Sequence, residues 1–178
     1  MLDQTYDSFE ILCYHDGPLL HQDLDFPVPV KCTERRFNDF GHSLRDIGIR
    51  EATGEYIVHF NPDNVLHRHA LEVISSVTQD IAIFPIRMRG LERGVDEDNQ
   101  SYFFYSCPRN CNYYVDFPGD SIEYGKIDCL QLVMKTELWR KEGGWIDKRE
   151  DSDGFLYPKL ARKYSVEYVS GEVLGEHY

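Results

Sequence analysis

Residues 56–74, YIVHFNPDNVLHRHALEVI, decide how the rest of the chain is read. The stretch opens as an apolar strand, breaks on Asn61-Pro62-Asp63-Asn64, and resumes with apolar residues at helical spacing. A carboxylate at the end of a strand can serve a ligand, because open α/β sheets bind outside the carboxyl ends of their strands. It can equally start a turn, since Asp and Asn bond their own backbone. On spacing alone the two readings of Asp63 weigh the same.

Outward from that stretch the chain alternates. Residues 9–15 (FEILCYH) read as a short strand buried on both faces, stopped by Asp16-Gly17-Pro18. The segment PVPVKC, residues 27–32, suggests an extended edge piece. From Gly41, GHSLRDIGIREATG has helical spacing closed by Gly54, and residues 55–60 form the next strand. Residues 66–78 predict an amphipathic helix and residues 80–88 a third strand. This strand–helix order predicts a mostly parallel α/β sheet flanked by helices. After a Tyr- and Asn-rich stretch at residues 89–125, IDCLQLVMK (127–135) reads as another buried strand. TELWRKEGGW follows as a short helix ending at Gly143-Gly144. A helix over 153–164, interrupted by Pro158, and a terminal strand complete the pattern. One domain over residues 1–178 is expected, in two halves, 1–88 and 89–178.

The bulk numbers bound the function. The 178 residues are enough for a real core, and 42% hydrophobic with 13% aromatic is ordinary for a folded protein. A net charge of −12 opposes general nucleic-acid binding, which needs a basic track. The local clusters KCTERR and IRMRGLER read as solvated faces. No apolar run suits a membrane span, and MLDQTYDSFE lacks the basic start of a leader, so a cytoplasmic protein is expected. Five scattered cysteines at 13, 32, 107, 111 and 129 fit a reducing compartment. The pair in CPRNC has no matching second pair for a structural zinc site.

Three blocks, in order and at matching spacing, resemble the family-2 type of glycosyltransferases with the GT-A fold. They are QTYDSFEILCYHDGP, GHSLRDIGIREATGEYIVHFNPDN and IDCLQLVMKTELWRKEGGW. The resemblance spans nearly the whole chain and is weakest between residues 89 and 125. It implies transfer of a sugar from a nucleoside-diphosphate sugar, with UDP the implied nucleotide, to a hydroxyl acceptor. It also implies a divalent cation, Mn2+ or Mg2+, and inversion at the anomeric carbon. The pattern starts late: about 25 residues of strand and helix usually precede the QTY block, so the chain reads as an N-terminally shortened member.

Residue by residue, Asp16 matches the second acid of the family's DDG, which lies near the nucleotide base, and His15 replaces the first. Arg45 matches the arginine of ARN, which lies against the nucleotide. Asn61 and Asp63 match the two ends of the DxD motif, leaving Asp63 as the charged metal ligand and Asn61 for a ribose. His177, in the terminal GEHY, resembles the C-terminal histidine that completes the metal site, and Asp128 sits where it could touch the donor sugar. In SDGFLYPKLARKY the helix register puts Asp153 in the place of the catalytic base, with Ser152 where the family has glutamate; Asp151 is the second candidate. His42, Asn38 and Asp39 are further candidate ligand contacts. Trp139 and Trp145 read as core before sugar platforms. Two other functions stay in view: a nucleotide-sugar-binding module without turnover, and a nucleotidyltransferase. The second would show a Gly-rich basic phosphate loop that the N-terminus lacks.

Overall fold

The computed structural model describes residues 3–19, 27–95, 97, 101–106 and 112–178. The CPRNC segment lies outside them. The chain forms two compact units, each discontinuous in sequence. One comprises Met1–Asp7, Val58–Val133 and Asp153–Tyr178; the other comprises Ser8–Ile57 and Met134–Ser152.

In the second unit, strand β1 (Cys13–His15) pairs in parallel with β2 (Val30–Cys32). Helix α1 (His42–Glu51) follows. Its start is shaped by Gly41 at φ 81° and by Asp39, whose Oδ2 accepts from Ser43 N at 3.1 Å and Ser43 Oγ at 2.5 Å. That meets an N-terminal donor which the helix cannot satisfy itself. Its end is held from α3 (Thr136–Glu142), where Arg140 donates to the carbonyls of Ile49 at 3.0 Å and Ala52 at 2.5 Å. A cation at a helix C-terminus also opposes the negative end of the dipole. Helix α3 stops at Gly143, φ 83°, and Gly144 N returns to Trp139 O at 3.0 Å, as the Gly-Gly pair predicts. Lys31, the first residue of KCTERR, pairs with Glu51 at the end of α1.

The first unit departs further from expectation. After Asn61-Pro62-Asp63, the chain does not enter a helix; it makes strand β4 (Asn64–Leu66), buried–exposed–buried, and only then helix α2 (Ala70–Ser75). The apolar spacing that suggested one long helix belongs to a strand and a shorter helix. Gln4 supplies the cap that α2 lacks: its Oε1 accepts from Leu71 N at 3.1 Å and its Nε2 donates to His67 O at 3.0 Å. The predicted strand over 80–88 is likewise two strands, β5 (Ile81–Ile83) and β6 (Ile86–Arg89). Between them Pro85 has no N–H to give a ladder, and Phe84 is fully buried. Gly119, φ +65°, packs here so closely that a Cβ would lie 2.8 Å from the Phe84 carbonyl carbon.

The sheets are mixed, which corrects the expectation of a mostly parallel one. Strand β5 pairs in parallel with β11 (Val166–Tyr168), in a sheet of order β11-β5-β10-β3, where β3 is Tyr56–Val58 and β10 Leu132–Lys135. The division into units falls within β3 and β10. A second four-stranded sheet runs β4-β12-β6-β9, with β12 Gly175–His177 and β9 Tyr114–Phe117. There β12 is parallel to β6 but antiparallel to β4, and β6 is antiparallel to β9. Strands β7 (Leu91–Val95) and β8 (Ser101–Tyr105) form an antiparallel pair. Arg87 and Arg89 of β6 pair with Asp116 and Glu176, so this basic cluster is also internally matched. Among the described residues no helix is long and apolar enough to cross a membrane.

Candidate functional site

Asn64, not Asp63, closes the turn after β3. Asn64 Oδ1 accepts from Asn61 N at 2.7 Å, and Asn64 N donates to Asn61 O at 3.0 Å. With both ends of the turn held by Asn64, the Asp63 carboxylate is not the group that makes it. The register of the second sheet then decides what Asp63 meets. His177 lies opposite Asn64 across β4 and β12, and Tyr178 N donates to Asp63 O at 2.9 Å. His177 Nε2 comes to 3.4 Å from Asp63 Oδ2.

The other imidazole nitrogen faces a second acid. His177 Nδ1 is 3.0 Å from Asp128 Oδ2. Asp128 is held by the short 3-10 turn that it caps, Cys129–Gln131: its Oδ1 accepts from Leu130 N at 2.9 Å, and its N donates to Gln131 Oε1 at 3.0 Å. Gln131 is fully buried and its Nε2 donates to Phe84 O at 3.1 Å, so the turn is anchored to the core. Helix α4 (Ser152–Ala161) is fastened to the same turn by Tyr157, whose hydroxyl donates to Cys129 O at 3.1 Å.

This arrangement has a definite chemistry. Asp128 can only accept when ionised, so Nδ1 carries a hydrogen toward it. A neutral imidazole then turns the Nε2 lone pair toward Asp63, two acceptors facing one another. Only a proton on Nε2 or a cation between the two relieves that. Two ligands each about 2.1 Å from one ion lie at most about 4.2 Å apart, and the 3.4 Å between Nε2 and Oδ2 is inside that bound. A carboxylate on the far nitrogen is also the usual support of a metal-bound histidine. Among the described residues no group of three or more His, Cys, Asp or Glu is arranged to hold a metal ion. Asp63 and His177 supply two donors, and Asp128 stands behind.

Asp153, in the same unit, is half-buried in the first turn of α4, and its Oδ1 accepts from Gly154 N at 2.8 Å. A Cβ at Gly154 would meet the Tyr124 ring at 2.7 Å, so glycine here lets that ring lie against the helix. Asp151 is half-buried in the turn before α4 and belongs to the other unit.

Asp16 and Arg45 are both in that other unit. Asp16 grips the loop ahead of α1: Oδ1 accepts from Phe37 N at 2.8 Å and Oδ2 from Asn38 N at 3.1 Å. Each oxygen retains further acceptor capacity. The Arg45 guanidinium lies over the Trp145 ring, 4.9 Å from its centroid. Trp145 itself is buried, as a core residue should be. Sequence reasoning missed the roles of Asn64, Gln131 and Ser152. For Ser152 a signal existed: it stands where the resembled family carries glutamate, and its Oγ lies 2.9 Å from His42 Nε2.

Among solved structures, the chain superposes on S. aureus TarS residues 1–349 in complex with UDP with a TM-score of 0.55 at 11% identity. That match covers 83% of this chain and 42% of the other. The fold is glycosyltransferase-like. A further S. aureus TarS structure matches with a TM-score of 0.57 at 14% identity, over 83% of this chain and 26% of its own. The chain thus spans less than half the length of either. Comparison with protein-family models and with curated proteins finds no match.

Proposed function

We propose that this chain is the donor-binding domain of a glycosyltransferase, moving a sugar from a UDP-sugar to a hydroxyl acceptor. The observation that carries the reading is the Asp63–His177–Asp128 relay. It presents one carboxylate oxygen and one imidazole nitrogen side by side at the end of the turn after β3. Its support is the fold shared with a protein that has been seen with UDP.

In this reading Asp63 and His177 hold a divalent cation, with diphosphate oxygens completing its shell, as a magnesium or manganese site with few protein ligands requires. The cation would offset the charge of the departing diphosphate. Asp128 keeps the proton on Nδ1 and so keeps Nε2 a ligand. Arg45 and Asp16 contact the nucleotide, and Asn61 the ribose. Asp153 takes the proton of the attacking hydroxyl, inverting the anomeric centre; Asp151 is the alternative base.

The test is calorimetric titration of UDP with Mn2+ or with EDTA, on the wild type and on Asp63→Ala. The expected result is UDP binding that needs Mn2+ and is lost in the variant. Folded wild-type protein that binds no UDP under either condition would overturn the donor site.

A further inference from the structure

His42 is a histidine that the proposed chemistry does not use, yet it is almost wholly buried, 2% exposed. Its ring stacks on Trp145 with centroids 4.6 Å apart and planes 14° from parallel. One partner at each ring nitrogen has a fixed polarity. Nδ1 is 2.8 Å from Arg45 Nη1, and a guanidinium can only donate. Nε2 is 2.7 Å from the Arg149 carbonyl, which can only accept, with Ser152 Oγ beside it at 2.9 Å. Both ends require one tautomer: lone pair on Nδ1, hydrogen on Nε2. The same Arg45 Nη1 donates to Phe40 O at 3.1 Å. Phe40 holds φ 58°, a left-handed conformation unusual for a bulky residue, and so places that carbonyl at a cost in backbone strain. A carbonyl, an imidazole nitrogen and an indole face thus converge on one guanidinium.

We propose that His42 is a positioning residue: as a neutral acceptor it fixes the Arg45 guanidinium for a nucleoside diphosphate, and its protonation releases it. This rests on the reading of Arg45 as a nucleotide contact. Protonation puts a hydrogen on Nδ1 and a positive charge against Arg45, which turns the bond into a repulsion. The charged and titratable groups around the ring are Arg45 on α1, Asp39 ahead of it, and Asp147 and Lys148 in the loop before α4. Burial lowers the His42 pKa; the Arg149 carbonyl opposes this, the Arg45 charge adds to it, Asp39 opposes it and Lys148 adds to it. The neutral form therefore persists to lower pH than for a free histidine.

Two substitutions divide the ring's functions. In His42→Asn an amide oxygen stands near Nδ1 and can accept from Arg45. In His42→Gln the amide reaches toward Nε2 and leaves Arg45 Nη1 without that acceptor. UDP affinity by calorimetry with Mn2+ at neutral pH should fall roughly tenfold in His42→Gln, the worth of one hydrogen bond, and recover largely in His42→Asn. As pH falls through the His42 pKa, the ratio of wild-type to His42→Asn affinity should drop; titration of UDP and of the carboxylates cancels in that ratio. His42→Gln, folded by its melting curve, with wild-type affinity would overturn the proposal. So would a ratio constant with pH, which decides the matter even if His42→Gln does not fold. If the wild type binds no UDP, the nucleotide reading has failed, and NMR titration of the His42 ring decides this one separately. Arg45→Ala should then raise the His42 pKa; an unchanged pKa overturns the pairing.

Discussion

His177 and Asp128 meet through Nδ1 and Oδ2 at 3.0 Å, and this contact sets which face of the imidazole is turned to Asp63. An amide at position 128 could keep the cap on Leu130 through its oxygen while offering N–H to Nδ1. The hydrogen would then move to Nε2, where it blocks a metal. We expect Asp128→Asn to weaken Mn2+-dependent UDP binding by about 10–100-fold, the usual cost of removing the group behind a metal-bound histidine. An unchanged Mn2+ dependence by calorimetry would show that His177 is not a ligand.

Asp153 is assigned to proton removal and not to the donor. Asp153→Asn should therefore leave UDP affinity within about twofold and lower the release of UDP from a panel of UDP-sugars by about 10²–10⁴-fold. Should Asp151→Asn give that pattern in its place, the base is Asp151 and the register argument from SDGFLYPKLARKY is wrong.

Gly119 is required twice, by its positive φ and by the Phe84–Pro85 backbone against it. Neither the strain nor the contact can be relieved by a flexible side chain. Gly119→Ala should cost about 2–3 kcal/mol of stability, read as a lower urea midpoint. A midpoint within error of wild type would mean that the loop shifts freely.

The buried His42 makes stability depend on pH. Its folded pKa lies below the unfolded value of about 6.5, because burial disfavours the charged ring. The unfolded chain therefore binds the proton first, and the contribution is present in full above about pH 6.5. It is lost as pH falls through the folded pKa. The melting temperature of the wild type should fall more steeply than that of His42→Asn between about pH 7 and pH 5. Parallel curves would remove His42 from the account.

Tyr157→Phe removes the hydroxyl that ties α4 to the turn carrying Asp128. Leaving the Cys129 carbonyl buried and without that donor should cost about 1–2 kcal/mol. Denaturation measures the loss, and a neutral result would mean that another donor reaches the carbonyl.

Much of this was legible locally. Helix α1, helix α3 with its Gly143 stop, and strand β3 are decided by side chains within one or two turns of each other, so periodicity and glycine position reveal them. The second sheet was not legible in this way. Val65 and Leu66 suit a helix or a strand equally, and β4 is a strand because β12 supplies its partner. Likewise β5 and β6 form one apolar run in sequence, divided by Pro85 and sent into different sheets.

By itself the sequence determined the residue types of the candidate site: Asp63 after a strand, an acid within the 127–135 block, a histidine near the end of the chain, and an arginine in α1. Only the tertiary structure decided that Asp128 backs His177 and that the Arg149 carbonyl fixes the tautomer in which His42 meets Arg45. Chemistry is carried by each side chain and can be read one residue at a time. Strand register and the polarity of a hydrogen bond are properties of pairs, and these pairs come from segments that only folding brings within 3 or 4 Å of each other.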